Sequence, residues 1–400
     1  MAGGDDACQR RPVGLLAALL AVTITIGGML IGQGYAIRYA GQYLEAINSK
    51  QLPIKWESLT FQRAAYDSGD WLPIYGSSEL YYCGDPFRGI QLFATMPSGF
   101  DLFAAGRAGT ADLLFAETFA ALGADLRGKK LVISDSPPWF FSRDGQSAKA
   151  YAGNFSPEIA DAVAFTAPIS LPLRQGIARR MLAYPTTLAG RPLLRLALEN
   201  LANGTPLRLA AYYALAPAGR LHAFVQQIRD AYHTVQFIRH NPQYQKNSPP
   251  SPAQLNWSQL VVLGTSIAEE RSGLGPFGFP RGDIDRLRNN RQYRQAVQLY
   301  CSGQSNRDGH IYGYPADWEH TMLQSAEWTD LQLELQTLNE LGAQPLAVSL
   351  PMPGLYDDYT NISKAARDGY YQKYMTVTAP AAGLLRDRRG RTAALSRRKS

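Results

Sequence analysis

The chain has 400 residues, 46% of them hydrophobic and 18% charged, which excludes a disordered chain and leaves material for a sizeable core plus a membrane-embedded part. Its net charge of +7 does not mark a nucleic-acid binder, because residues 384–400 alone carry a net +6 and the body is nearly neutral. Cys8, Cys83 and Cys301 form no C-x-x-C pair, which excludes the usual zinc and thioredoxin-like spacings.

Residues 1–37 read as a cytoplasmic tip followed by a transmembrane anchor. No charge lies between Arg11 and Arg38, and residues 13–32 (VGLLAALLAVTITIGGMLIG) are long enough to cross a hydrocarbon core of about 30 Å. Arg10 and Arg11 precede the apolar run, so the positive-inside rule leaves the N-terminus in the cytoplasm and the bulk of the chain outside. A cleaved signal peptide is the competing reading, with Gly34-Tyr35-Ala36 as a small-x-small site, but its apolar core would exceed the usual length of about 7–15 residues. Outside the cytoplasm Cys83 and Cys301 could form a disulfide; two isolated thiols is the plainer expectation, since spacing alone supplies no geometry.

Residues 38–154 form the first part of an α/β domain. Residues 44–70 read as a helical approach, and Trp71-Leu72-Pro73-Ile74-Tyr75 as a buried strand ending in the turn Gly76-Ser77-Ser78-Glu79-Leu80. A helix over 111–122 and a strand over 131–134 complete a strand-helix-strand unit, and with it a parallel sheet. Residues 155–258 are a helical insertion and linker, Arg-studded and without strand alternation, ending in a Pro- and Asn-rich connector. Residues 259–378 return to the α/β pattern, with a helix over 327–341 and a strand over 347–350 after the Gly342 stop. Residues 379–400 form an atypical basic tail.

A serine after a buried strand and a glycine sits at the carboxyl edge of a parallel sheet, where open α/β sheets bind ligands. There backbone N–H groups can stabilise an oxyanion. Alone this is a weak signal, because many such serines only cap a turn. It is joined here by Gly106-Arg107-Ala108-Gly109-Thr110, Gly128-Lys129-Lys130, Ser136-Pro137-Pro138-Trp139-Phe140, Glu327-Trp328-Thr329-Asp330-Leu331-Gln332, Leu350-Pro351-Met352-Pro353-Gly354 and Tyr356-Asp357-Asp358-Tyr359. In this order, from the anchor to about Thr378, the blocks resemble the DltD family of envelope D-alanylation proteins.

That resemblance implies a serine-hydrolase fold of the SGNH type. Ser78 would be the nucleophile, the N–H groups of Ser78 and of Gly106 or Gly109 the oxyanion donors, and Glu79 and Trp139 residues lining the site. The implied reaction is acyl transfer, with Ser78 accepting a D-alanyl group and passing it to a hydroxyl of a teichoic-acid-like polymer. The implied partners are the membrane acyltransferase and the carrier components of that pathway. No metal or nucleotide motif appears, and no cofactor is expected.

The family supplies its base from an Asp-x-x-His after the last strand, and this chain departs from that pattern. Its five histidines are His222, His233, His240, His310 and His320, and none lies beyond position 320. The C-terminal sequence APAAGLLRDRRGRTAALSRRKS has the character of translation in another frame or of a truncated copy, with a genuine basic tail as the alternative. Asp317-Trp318-Glu319-His320 has the right internal spacing, but it precedes the 327–341 helix and comes too early; Asp317 and His320 suit capping and surface roles as well. Two functions from different classes therefore stand: a serine-dependent acyltransferase, inactive if its base is lost, and a non-catalytic membrane scaffold of the D-alanylation machinery. A general envelope esterase would fit the fold but not the Asp-Leu-Gln and Ser-Pro-x-Trp-Phe blocks.

Overall fold

The computed structural model describes residues 6–48, 52–80, 93, 98–248, 256, 258, 318–350 and 363–387, and side chains in these except those of 6–14, 318–320 and 380–387. Helix α1 (Asp6–Gly41) contains one apolar span, Leu15–Gly41, long enough to cross a membrane. From Leu15 to Ile31 its large side chains are exposed; from Ala36 onward it joins the body, with Ala36 and Ala40 buried. Tyr35, Tyr39 and Tyr43 stack in a ladder along it, with ring centroids 5.8 and 5.2 Å apart.

Helices α2 (Leu44–Asn48), α3 (Ile54–Glu57) and α4 (Leu59–Ser68) fill the expected helical approach. Ser58 starts α4 as an N-cap, its hydroxyl accepting from the Phe61 N–H. A four-stranded parallel sheet follows, in the order β2-β1-β3-β4. Its strands are β1 (Trp71–Gly76), β2 (Asp101–Gly106), β3 (Lys130–Asp135) and β4 (Gln344–Ser349). The register pairs Gly76 with Gly106 and Tyr75 with Ile133. On the outer edge of β2 the Asn48 carboxamide stands in for a neighbouring strand: its Nδ2 donates to Leu102 O at 2.6 Å, and its Oδ1 accepts from the Ala104 N–H at 3.0 Å.

Strand β2 corrects the sequence reading in one respect. The helix after Thr110, α5 (Asp112–Leu122), leads from β2 to β3 and not from β1 to β3. The sequence Leu-Phe-Ala-Ala gives no alternation because all four side chains are buried. Helix α6 (Ala148–Asn154) ends just before residue 155, and helices α7 (Pro157–Phe165), α8 (Leu171–Met181), α9 (Pro192–Asn203) and α10 (Pro206–Arg239) lie within residues 155–258, the stretch read as helical. Three of them begin with a serine N-cap before an apolar run, at Ser147, Ser156 and Ser170.

Helix α11 (Trp318–Gln324) precedes α12 (Glu327–Leu341), which ends at Gly342 in the left-handed conformation, as the stop signal implied. Helix α13 (Lys364–Asp387) closes the described chain, so the helix runs on through the point where the sequence pattern changes. Helices α5 and α12 pack on one another, and a single apolar cluster runs from Ala40 and Leu44 through Tyr75 and Phe115 to Tyr370. Cys83, Cys301, His310, Asp317 and the Tyr356–Tyr359 block, and with them the expectation of two isolated thiols, lie outside the described residues.

Candidate functional site

Strand β1 delivers two serines to the carboxyl edge of the sheet, and the fold gives them different tasks. Ser77 is buried and tied down: its hydroxyl accepts from the Gly109 N–H at 2.9 Å and donates to Arg107 O at 3.3 Å, and its N–H donates to Glu79 Oε1 at 2.5 Å. Ser78 is exposed and opens a short 3-10 turn, Ser78–Leu80. Glu79 is half-buried, and burial raises its carboxyl above the usual range despite the Ser77 N–H that favours the charged form.

The glycines at the ends of β1 and β2 are there for space. A Cβ on Gly106 would lie 2.0 Å from Gly76 O, and one on Gly76 would lie 2.5 Å from Glu79 Oε1, so neither position accepts a side chain without moving the turn. The loop after β2 is fixed at every residue that could face a ligand. Thr110 Oγ1 donates to Gly76 O at 2.7 Å, Asn154 Nδ2 donates to Ala108 O at 3.1 Å, and Gln146 Nε2 donates to Gly109 O. Because the Gly109 N–H is taken by Ser77, the expected role of Gly109 as an oxyanion donor requires that bond to open; Gly106 serves first as the close-approach point of the two strands.

This loop is one wall of a pocket of about 420 Å³. Pro138, Trp139 and Phe141 form the opposite wall, and Gln146, Lys149 and Asn154 contribute polar groups. Trp139 lines this pocket, and its ring lies 5.9 Å from that of Phe115. Ser78 is not in the pocket's lining; its neighbour Ser77 is the residue bonded to the pocket's loop, at Arg107 and Gly109.

Behind the edge lies a group of buried acids that the sequence reading missed. Oxygens of Asp112, Asp135 and Glu334 lie within 4.8 Å of one another, and all three side chains are fully buried. Glu327 belongs to the same layer, its Oε1 accepting from the Asp112 N–H at 3.0 Å. Burial and the neighbouring carboxylates push Asp112 and Glu334 well up, and burial pushes Asp135 to about 7, even though the Tyr374 hydroxyl donates to its Oδ2 at 2.5 Å. The oxygen set is of the kind that holds a hard divalent cation, but three ligands fall short of the six to eight that calcium takes. Protons neutralise such a set equally well. One nearby acid is paired instead: Arg180 grips Asp330 in a two-pronged bond at 2.6 and 2.8 Å.

The histidines do not supply a base next to Ser78 among the described residues. His222 Nδ1 pairs with Asp161 at 2.9 Å, and His233 and His240 are exposed at the helical part. His320 lies in α11, which packs against the 137–141 turn carrying Trp139, but its side chain is outside the description, as is Asp317.

Comparison with known proteins agrees with the sequence blocks. A model of the DltD protein family matches residues 49–381. Protein DltD of Bacillus subtilis (strain 168) is 27% identical over 321 residues, covering 80% of this chain and 75% of that protein. Protein DltD of Staphylococcus aureus (strain NCTC 8325 / PS 47) is 23% identical over 356 residues, covering 87% of this chain and 82% of that protein. The chain belongs to the DltD family.

Proposed function

We propose that this protein takes part in D-alanylation of a teichoic-acid-like envelope polymer, by acyl transfer through Ser78. The observation that carries the reading is the division of labour at the end of β1: Ser77 is buried and holds the loop that walls the pocket, while Ser78, the next residue, is exposed. The acyl group would be attacked by the Ser78 oxygen, released from its donor as the bond to the leaving group breaks, and then handed to a polymer hydroxyl that displaces the serine. The pocket's mixed wall, aromatic at Trp139 and polar at Gln146, suits a small amino-acyl group. Helix α1 would hold the body at the outer membrane face, with its N-terminus in the cytoplasm.

A second reading is favoured by one observation. The chain has no histidine after position 320, and an unassisted serine is a weak nucleophile. On this reading the fold is a membrane scaffold for the acyltransferase and carrier of the same pathway. Labelling of the membrane-bound protein with a fluorophosphonate separates the two. Catalysis through Ser78 requires labelling that is lost in Ser78→Ala and kept in Ser77→Ala; no labelling of the unaltered protein gives the scaffold reading the lead.

A further inference from the structure

Helix α10 is apolar on two opposite sides. Its inner side, with Tyr212, Ala216, Ala223 and Thr234, is buried against the body. At about 100° per residue, Leu207, Ala211, Ala214, Leu221, Val225 and Tyr232 fall within an arc of roughly 80° on the other side. All six are exposed, Leu207 by 80%, Leu221 by 66% and Tyr232 by 60%. The stripe spans the 26 residues from Leu207 to Tyr232, a rise of about 38 Å. Among the described residues nothing packs on it.

Two further features indicate what does. The first is position: Ala231 and Val235 of α10 pack against Ala36 and Tyr39 of α1, just past the exposed apolar run that ends at Ile31. Five residues of helix separate Ile31 from Ala36, a rise of about 8 Å. The contact therefore sits at the level of the tyrosine ladder, where aromatic side chains mark a membrane interface. The second is charge. Arg208, Arg220, Arg229 and Arg239 are exposed on α10, and its one acid, Asp230, is turned inward, where Thr60 donates to it at 2.8 Å from N–H and 2.6 Å from hydroxyl. An apolar stripe with cations and no outward acid fits an anionic bilayer surface.

We propose that the outer face of α10 lies in the lipid interface beside α1, a second membrane contact that holds the body against the bilayer. The proposal rests on α1 being an uncleaved anchor. The test places single cysteines, in a Cys8→Ser, Cys83→Ser, Cys301→Ser background, at Leu207, Leu221 and Val225. A cysteine at Ile24 reports on the anchor, and one at the exposed Lys364, on the helix that packs on β4 at the other edge of the sheet, reports on water. All these side chains are exposed, so the substitutions remove no core contact. Each full-length protein carries an environment-sensitive dye and is reconstituted in vesicles of phosphatidylcholine with phosphatidylglycerol.

Quenching by nitroxide-bearing lipid should be several-fold stronger at 207, 221 and 225 than at 364, with protection from aqueous iodide. Lipid quenching at 24 alone, with 207, 221 and 225 open to iodide, overturns the proposal and leaves the anchor standing. Protection from both quenchers means that protein covers the stripe, which also overturns it. Absence of lipid quenching at 24 removes the anchor and the proposal together.

Discussion

The sheet and helix α10 break the same rule in opposite directions. Behind β1 and β3 the protein buries ionisable groups, with Asp112, Asp135, Glu327 and Glu334 all fully shielded, while α10 shows water a stripe of leucine, valine and tyrosine. Buried carboxyls persist only when protons, hydrogen bonds or a paired charge neutralise them, and exposed apolar stripes persist when another apolar phase covers them. The sheet region meets part of its requirement internally, through Tyr374 on Asp135 and Arg180 on the neighbouring Asp330. Among the described residues nothing covers the α10 stripe, and the cover proposed for it is lipid.

The sharpest way to break the first half of this contrast is to remove the guanidinium paired with Asp330. Arg180→Ala leaves Asp330 buried without its guanidinium and should cost about 3–5 kcal/mol in urea unfolding of the detergent-solubilised protein. A smaller loss would mean that Asp330 already carries a proton. The pH dependence comes next. The folded-state values of Asp135 and Glu117, about 7 and about 8, lie above their ordinary values of 3.8 and 4.5. The folded state therefore holds more protons than the unfolded one, and the contribution of these groups is full below about pH 4. It then falls by roughly 1.4 kcal/mol per pH unit per group until the folded-state values are passed. Asp135→Asn should flatten its share of that slope; an unchanged slope would exclude Asp135 as a titrating group.

Smaller effects test the finer points. Ser77→Ala removes the acceptor of the Gly109 N–H and a donor to Arg107 O, and should cost about 1 kcal/mol while leaving Ser78 in place. Total loss of fluorophosphonate labelling in this variant would instead make Ser77 the reacting group. Leu221→Ser on the exposed stripe should change stability in detergent by no more than about 0.5 kcal/mol. A large loss there would show that the stripe is a hidden part of the core.

The elements with strong punctuation were legible in the sequence. The β1 turn carries Gly76, α12 stops at Gly342, and the Arg-studded stretch became α7 to α10. Strand β2 was missed because Leu102 to Ala105 are buried alike and alanine reads as helix-compatible. The acid layer was missed for a different reason: Asp112 and Glu327 each stand in the first turn of a helix, where acids are ordinary. One signal was available. Glu327, Asp330 and Glu334 recur at helical spacing on the face that also carries Leu331 and Leu338, and acids on an apolar face call for a partner. The Gly-Ser-Ser-Glu turn was legible from its motif, but the different settings of Ser77 and Ser78 were not, since only the fold decides which of two adjacent hydroxyls is held.

The Asn48 carboxamide has a consequence beyond closing the sheet edge. It stands on α2, seven residues past the end of α1, and grips β2 by both of its amide atoms. The same junction is held from the other side by Asn247, whose Nδ2 donates to Gly41 O at 2.7 Å and whose Oδ1 accepts from the Glu45 N–H at 3.0 Å. An anchor joined in this way transmits torque. With α1 as the proposed anchor, the head would not swivel on a slack leash: rotation of α1 in the bilayer would turn the Ser78 edge with it, and the height of Ser78 over the bilayer would be a fixed length, set by the fold.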